Sequence, residues 1–210
     1  MLSEADDLLP IRLVESYAYC PRQAWYRFVA NEDPLNLDME RGLRRHERVD
    51  ATAGRLREAG WVARHLAVCA PDLGVAGVLD EVRIADDALT ITEYKASRVV
   101  PTPWAGILRQ LAVQHLALRE HVARGPWRGP ALPPSERTSL RVFYADSGRA
   151  RAVGWSPGHD DQARAAIAAG LELFRLDLPP PGRIGLRCRA CQHEPICLPG
   201  DLPILRAACR

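Results

Sequence analysis

Three cysteines near one end of the chain and one near the other restrict its fold more than anything else in it. Cys188, Cys191 and Cys197 form a Cys-x-x-Cys-x5-Cys group, and Cys20 lies in the string Tyr17-Ala18-Tyr19-Cys20-Pro21-Arg22. If these four thiolates share one bound group, a loop spanning almost the whole chain is closed. Binding then contributes directly to folding stability. Four thiolates suit either tetrahedral zinc or an iron–sulfur cluster. Zinc ribbons present paired Cys-x-x-Cys knuckles, and the three-plus-one spacing here departs from that pattern. The spacing favours a cluster and leaves zinc open. Cys69 and Cys209 read as small buried hydrophobes.

The compartment matters to this reading. Residues 1–10 carry Glu4, Asp6 and Asp7 where a secretory leader would be basic and then apolar, and no apolar run is long enough to cross a bilayer. The expected location is the cytoplasm, without membrane association, where thiols stay reduced and disulfides are rare. At 210 residues, with 47% hydrophobic and 26% charged residues, the chain can bury one ordinary core and is not disordered as a whole. The net charge of +2 is too small to point to nucleic acid.

The pattern along the chain predicts a helix from Tyr17 to Val29 capped by Ser16, with Pro21 either in its first turn or at its start, and a second, rich in Arg and Glu, from Met39 to Ala59. Trp61–Cys69, Leu73–Ile84 and Ala88–Tyr94 are rich in Val, Ile, Leu and Thr and are separated by turn residues; they read as three strands in an antiparallel meander. A helix over 104–123 with an apolar stripe, a Pro/Gly-rich loop over 125–134, a hairpin around Ser147-Gly148 and a last helix over 160–176 follow. The fold class is mixed α/β, a central sheet flanked by helices.

Two features of the meander carry chemistry. Gly77-Val78-Leu79-Asp80 lies on one strand and Glu93-Tyr94-Lys95 on the next. Strand alternation puts Glu93 and Lys95 on one face with Tyr94 on the other, and antiparallel pairing can bring Asp80 to that same face. Two carboxylates beside a lysine form a hard-oxygen site suited to Mg²⁺ or Mn²⁺. Glu-x-Lys alone is ordinary on solvated strands. Its place on apolar strands, where unpaired charge is costly, gives it weight.

Gly77-x-x-Asp80 followed by Glu93-x-Lys95 resembles the second and third motifs of the PD-(D/E)XK nuclease superfamily, in its RecB-like branch. Arg41-Gly42-Leu43-Arg44-Arg45-His46 is similar to that branch's Gly-x-x-x-His stretch, and Arg109-Gln110-Leu111-Ala112 to the start of its Gln-x-x-x-Tyr motif, with Gln114 where the tyrosine would stand. With the cysteines, the whole order resembles the CRISPR-associated RecB-like iron–sulfur nucleases, the fourth Cas family. Tyr19-Cys20-Pro21-Arg22 looks like that family's opening signature.

The resemblance implies a metal-dependent deoxyribonuclease, an exonuclease with endonuclease activity in some members. It would trim precursor DNA, single-stranded or overhang-bearing, for CRISPR spacer acquisition alongside the integrase proteins. It implies Asp80, Glu93, His46 and the backbone carbonyl of Tyr94 as ligands of Mg²⁺ or Mn²⁺, with Lys95 assisting hydrolysis and Gln110 supporting the site. Cys20, Cys188, Cys191 and Cys197 would hold a [4Fe–4S] cluster in a subdomain of residues 10–30 plus 180–210, around a nuclease core of 36–178, the 1–210 chain forming a single nuclease domain. Arg44, Arg45 and Arg48 are candidate phosphate contacts, although the acidic residues among them also suit a solvated helix face. Trp25, Tyr26 and Trp104 could stack on bases, or belong to the core. Two other readings stand beside this one: a catalytically weak DNA-binding or scaffold subunit of an adaptation complex, and a zinc-stabilised interaction module.

Overall fold

The computed structural model describes residues 8–32, 55–57, 60–125, 127–199 and 207. Its elements follow from two kinds of run. Where Val, Ile, Leu and Thr alternate with polar residues, the chain forms long strands: β3 (Gly60–Ala70), β4 (Val75–Ala85) and β5 (Ala88–Lys95). Their register is antiparallel throughout, with Ala63 opposite Val82 and Val82 opposite Ile91. The expected meander is thus present. It lies within a seven-stranded sheet that also holds β1 (Leu9–Pro10), β2 (Arg55–Arg57), β6 (Thr138–Tyr144) and β7 (Arg149–Gly154). The strand order is β2-β3-β4-β5-β6-β7, and β1 adds to β4 in parallel.

Helical runs cover the sheet. α1 (Leu13–Tyr19) and α2 (Pro21–Phe28) lead in, α3 (Ala105–Arg124) crosses over between the parallel strands β5 and β6, and α4 (Pro157–Phe174) packs on α3. The expectation for α3 was one apolar stripe. Residues 110–118 are instead all buried, because the helix lies between the sheet on one side and α1 and α4 on the others. The core joins Leu111 and Leu118 of α3 to Val82, Ile91 and Leu140 of the sheet and to Leu9, Ile11 and Leu13 of the N-terminal segment. No helix among the described residues is long and apolar enough to cross a membrane.

Three expectations need correction. The run over 17–29 is two helices, the second beginning at Pro21 as one of the two expected placements of that proline had it, and Ser16 lies buried within α1 rather than capping a helix. The break falls at Cys20, whose backbone is extended (φ −162°, ψ 118°), since the residue before a proline is pushed out of the helical region while Pro21 is well suited to the first position of α2. The helix expected over 39–59 does not reach its end: residues 55–57 form β2, antiparallel to β3 with Arg57 opposite Gly60. Gly60 makes that hairpin possible, because its φ of +102° suits only glycine and a Cβ there would meet the Ile84 carbonyl oxygen at 2.5 Å. The rest of that helix, 39–54 and 58–59, lies outside the described residues. Finally, Cys69 is exposed on β3, not buried, because it falls on an outward position of the strand; Cys209 lies outside the described residues.

Candidate functional site: a carboxylate–lysine centre and a cysteine-lined cavity

Strand register brings Asp80, Glu93 and Lys95 together. Glu81 pairs with Thr92 as the last rung between β4 and β5, so Asp80 and Glu93 stand opposite each other one step beyond it. There the strands part, and the Asp80 carboxylate takes over from the ladder, accepting a hydrogen bond from the Tyr94 amide at 2.8 Å (Oδ2). Glu93 and Lys95 share the other strand face from Tyr94, as alternation requires. The Lys95 ammonium lies 3.0 Å from Glu93 Oε1 and 2.6 Å from Oε2 of Glu15, which arrives from α1. Gln114 of α3 donates its Nε2–H to Glu93 Oε2 at 2.9 Å. Both oxygens of a carboxylate that is only 8% exposed are therefore held.

These neighbours set the charge states. Burial and the facing Glu93 carboxylate push the Asp80 carboxyl up to about 7, against the Tyr94 amide, Lys95 and His65, which favour its ionised form. Burial works against the Lys95 ammonium, yet Glu93 and Glu15 outweigh it and hold its pKa above the ordinary lysine value. His65 sits across β3 from Asp80 between the pairs Arg64–Glu81 and Leu66–Leu79, with a φ of +49° that is unusual for a residue other than glycine.

Among the expected site residues, Asp80, Glu93 and Lys95 are brought together. Gln110 is buried on α3 one turn before Gln114, and no hydrogen bond joins it to the three; the contact with Glu93 comes from Gln114. His46, Arg44, Arg45 and Arg48 lie outside the described residues. Trp25 and Trp104 are half-buried against the core, and Tyr26 stacks on His193. Glu15 and Gln114 escaped the sequence reading, the first because its contact spans 80 residues. One signal could have singled out Lys95 more sharply: of 28 basic residues 27 are arginine, and Lys95 is the one lysine in the chain.

The cysteine segments meet at the other end of α1. Cys20 at the α1–α2 break, Cys188 in a 3-10 turn (Leu186–Ala190), Cys191 just after it and Cys197 closing α5 (Glu194–Cys197) all line one cavity of about 760 Å³. Arg22 Nε donates to Cys197 Sγ at 3.2 Å. Burial raises the pKa of the Cys191 thiol, and the charges of Cys20, Cys197 and Cys188 add to that rise. Tyr19 Oη donates to the Arg187 carbonyl at 2.7 Å, Trp25 Nε1 to that of Leu176 at 2.9 Å, and His193 Nε2 lies 2.7 Å from that of Glu32. The thiols surround the cavity without converging on a point: among the described residues, no three His, Cys, Asp or Glu side chains are grouped so as to hold a metal ion.

Sheet, crossover helix and converging charges define a mixed α/β protein with a buried carboxylate–lysine centre on adjacent strands. No family model matches the chain. It is 29% identical over 205 residues to the CRISPR-associated exonuclease Cas4 of Aeropyrum pernix, covering 90% of this chain and 94% of that one. It is 27% identical over 206 residues to a CRISPR-associated exonuclease Cas4/endonuclease Cas1 fusion of Geobacter sulfurreducens, and 26% identical over 212 residues to a CRISPR-associated exonuclease Cas4 of Rhodospirillum rubrum. It spans 35% of the Geobacter relative's length and 60% of the Rhodospirillum relative's. The solved structure titled SSO0001 superposes with a TM-score of 0.54 at 14% identity over 91% of this chain and 86% of that one, a likeness of fold alone. Along most of its length the chain is therefore similar to CRISPR-associated Cas4 exonucleases.

Proposed function

We propose that the chain is a metal-dependent deoxyribonuclease of the PD-(D/E)XK type that trims DNA for CRISPR spacer acquisition. The observation that carries the reading is the convergence of Asp80, Glu93 and Lys95 at the end of the β4–β5 pair. The donor set fits a hard divalent cation: two carboxylates, with the Tyr94 carbonyl and His46 as the further ligands implied by the motifs. Mg²⁺ or Mn²⁺ bound there supplies charge neutralisation and a water of lowered pKa.

The chain's own residues do the rest. Gln114 fixes the Glu93 carboxylate, and the Tyr94 amide orients that of Asp80. The Lys95 ammonium directs the attacking water and offsets charge developing on the phosphate. The water oxygen bonds to phosphorus as the P–O bond to the leaving nucleotide breaks, giving a phosphomonoester and an alcohol.

The second centre is read as an iron–sulfur site held by Cys20, Cys188, Cys191 and Cys197, in a subdomain of residues 10–30 plus 180–210 attached to the 36–178 core. Sulfurs spread around a cavity suit a multinuclear [4Fe–4S] cluster better than a single zinc ion. The fusion of Cas4 to the endonuclease Cas1 in a relative's name supports association with CRISPR integrase proteins.

The test is cleavage of end-labelled single- and double-stranded DNA with Mn²⁺ by anaerobically purified protein. Cleavage by wild type that is lost in Lys95→Ala is expected. Cluster-loaded wild type that cuts neither substrate overturns the reading in favour of a scaffold subunit.

A further inference from the structure

Neither the strand motif nor the cysteine group accounts for Glu15. It lies in the first turn of α1, a helix anchored by buried Leu13 and Val14 and ended at Cys20. Just before α1, β1 pairs with β4, the strand that carries Asp80, with Leu9 opposite Val75. The Glu15 side chain is 26% exposed and reaches Lys95, itself 21% exposed, at 2.6 Å, shorter than the 3.0 Å to Glu93.

An ammonium offers three N–H donors on a tetrahedral nitrogen. One carboxylate alone leaves the group free to rotate about its Cε–Nζ bond. Two carboxylates, Glu93 from the same strand and Glu15 from α1, engage two of the donors and so fix the direction of the third. An arginine could not take this role, because its flat fork pairs with one carboxylate edge to edge. A chain that otherwise uses arginine for every cationic side chain keeps its one lysine here.

We propose that Glu15 is a positioning residue: with Glu93 it clamps the Lys95 ammonium so that its remaining N–H points at the reacting phosphate, and α1 thereby makes the N-terminal segment part of the centre. This rests on the nuclease reading above. It also gives the cysteine cavity a path to the sheet, since the helix that delivers Glu15 ends on Cys20.

Because Lys95 is the one lysine, the clamp can be read without cleavage. Full-length wild type, Glu15→Ala and Glu15→Gln are treated with an amine-acylating reagent, and Lys95 labelling is followed by peptide mass spectrometry against the α-amino group as internal reference. Alanine keeps helix propensity, so α1 is not weakened by the change itself. Lys95 in Glu15→Ala is expected to acylate about tenfold faster than in wild type, with the α-amino rate unchanged and Glu15→Gln between the two.

In cleavage assays Glu15→Ala lowers kcat on the order of 10²-fold with KM for DNA within about twofold, and Gln restores part of it. In a Lys95→Ala background the further change at Glu15 has no effect on residual cleavage, because the two residues act as one unit. A loss in KM and thermal stability with kcat unchanged, a loss that adds fully to Lys95→Ala, or unchanged Lys95 labelling each overturns the proposal. If wild type cleaves and Glu15→Ala cleaves equally well, the proposal fails alone. If wild type cuts no DNA, the nuclease reading fails and takes the proposal with it.

Discussion

Cation binding at the sheet is expected to be coupled to a proton, and the structure sets the size of the effect. Asp80 faces Glu93 in a buried setting and titrates at about 7. A protonated carboxyl is not a ligand, so affinity falls as pH falls through that value. With a pKa of about 7, Asp80 is ionised about 3% at pH 5.5 and about three-quarters at pH 7.5, which makes Mn²⁺ affinity rise roughly 25-fold, about 2 kcal/mol, across the two units. The slope approaches tenfold per unit below pH 7 and flattens above it. Isothermal titration of Mn²⁺ into DNA-free His46→Gln protein, which lacks the other titrating ligand, in paired buffers of different ionisation enthalpy, counts the protons directly. About one is released per ion at pH 5.5 and about a quarter at pH 7.5. Glu93→Gln removes the facing charge and moves the break in the curve to lower pH; Asp80→Asn abolishes the slope. Equal affinity at both pH values in the His46→Gln protein, or a slope that survives when Asp80→Asn is added to it, would refute the assignment of the proton to this pair.

Three further outcomes follow from the geometry. Lys95→Arg keeps the positive charge but loses the point-like ammonium between Glu93 and Glu15, and DNA cleavage is expected to fall about 10²-fold or more. Gln114→Leu leaves Glu93 Oε2 buried without its donor and costs about 1.5–3 kcal/mol in urea unfolding. His115, fully buried beneath Trp155 with Arg119 Nε donating to its Nε2, has its pKa lowered to about 4 by burial and by Arg119. The unfolded chain, with the histidine near its ordinary value, therefore binds more protons between pH 6.5 and 4. The stability this residue provides is complete above pH 6.5 and is lost on acidification toward pH 4, on the order of 3 kcal/mol. The fall in melting temperature across that window is expected to shrink in His115→Gln.

What the sequence revealed and what it hid divide along physical lines. The strands around Asp80 and Glu93 were legible because the sheet buries one face, so apolar residues alternate through Val82, Ile84, Leu89 and Ile91. The gathering of four cysteines around one cavity was legible because their spacing narrows what clustered thiols can do. The start of α2 was legible in Pro21, but the separate helix α1 before it was not, since Tyr17, Ala24, Trp25 and Phe28 share one helical period. Residues 55–57 look helical in composition and are strand because they pair with β3, a tertiary override of local preference. Glu15 has no local signature: a carboxylate in the first turn of a helix is what the helix dipole favours anyway. Its partner is 80 residues away. Gln114 sat in plain view as the fifth residue of the glutamine motif, where a polar side chain at a fully buried position calls for a buried partner.

The contacts that stitch residues 19–32 to 176–197 also have a temporal side. Tyr19 and Arg187 are 168 positions apart, as are Gln23 and Cys191. Contacts of such separation form late, because the intervening chain must first be ordered before loop closure is repaid. During synthesis, at about 5–20 residues per second, the segment bearing Glu15 and Cys20 waits on the order of ten seconds for its partners to leave the ribosome. The strands that hold Asp80, Glu93 and Lys95 can pair in that interval, while the Cys20 side of α1 still lacks its partners. A nascent chain would then carry the carboxylate–lysine centre before it carries the scaffold around Cys20, so the protein would mature from the sheet outward and be completed at the last step.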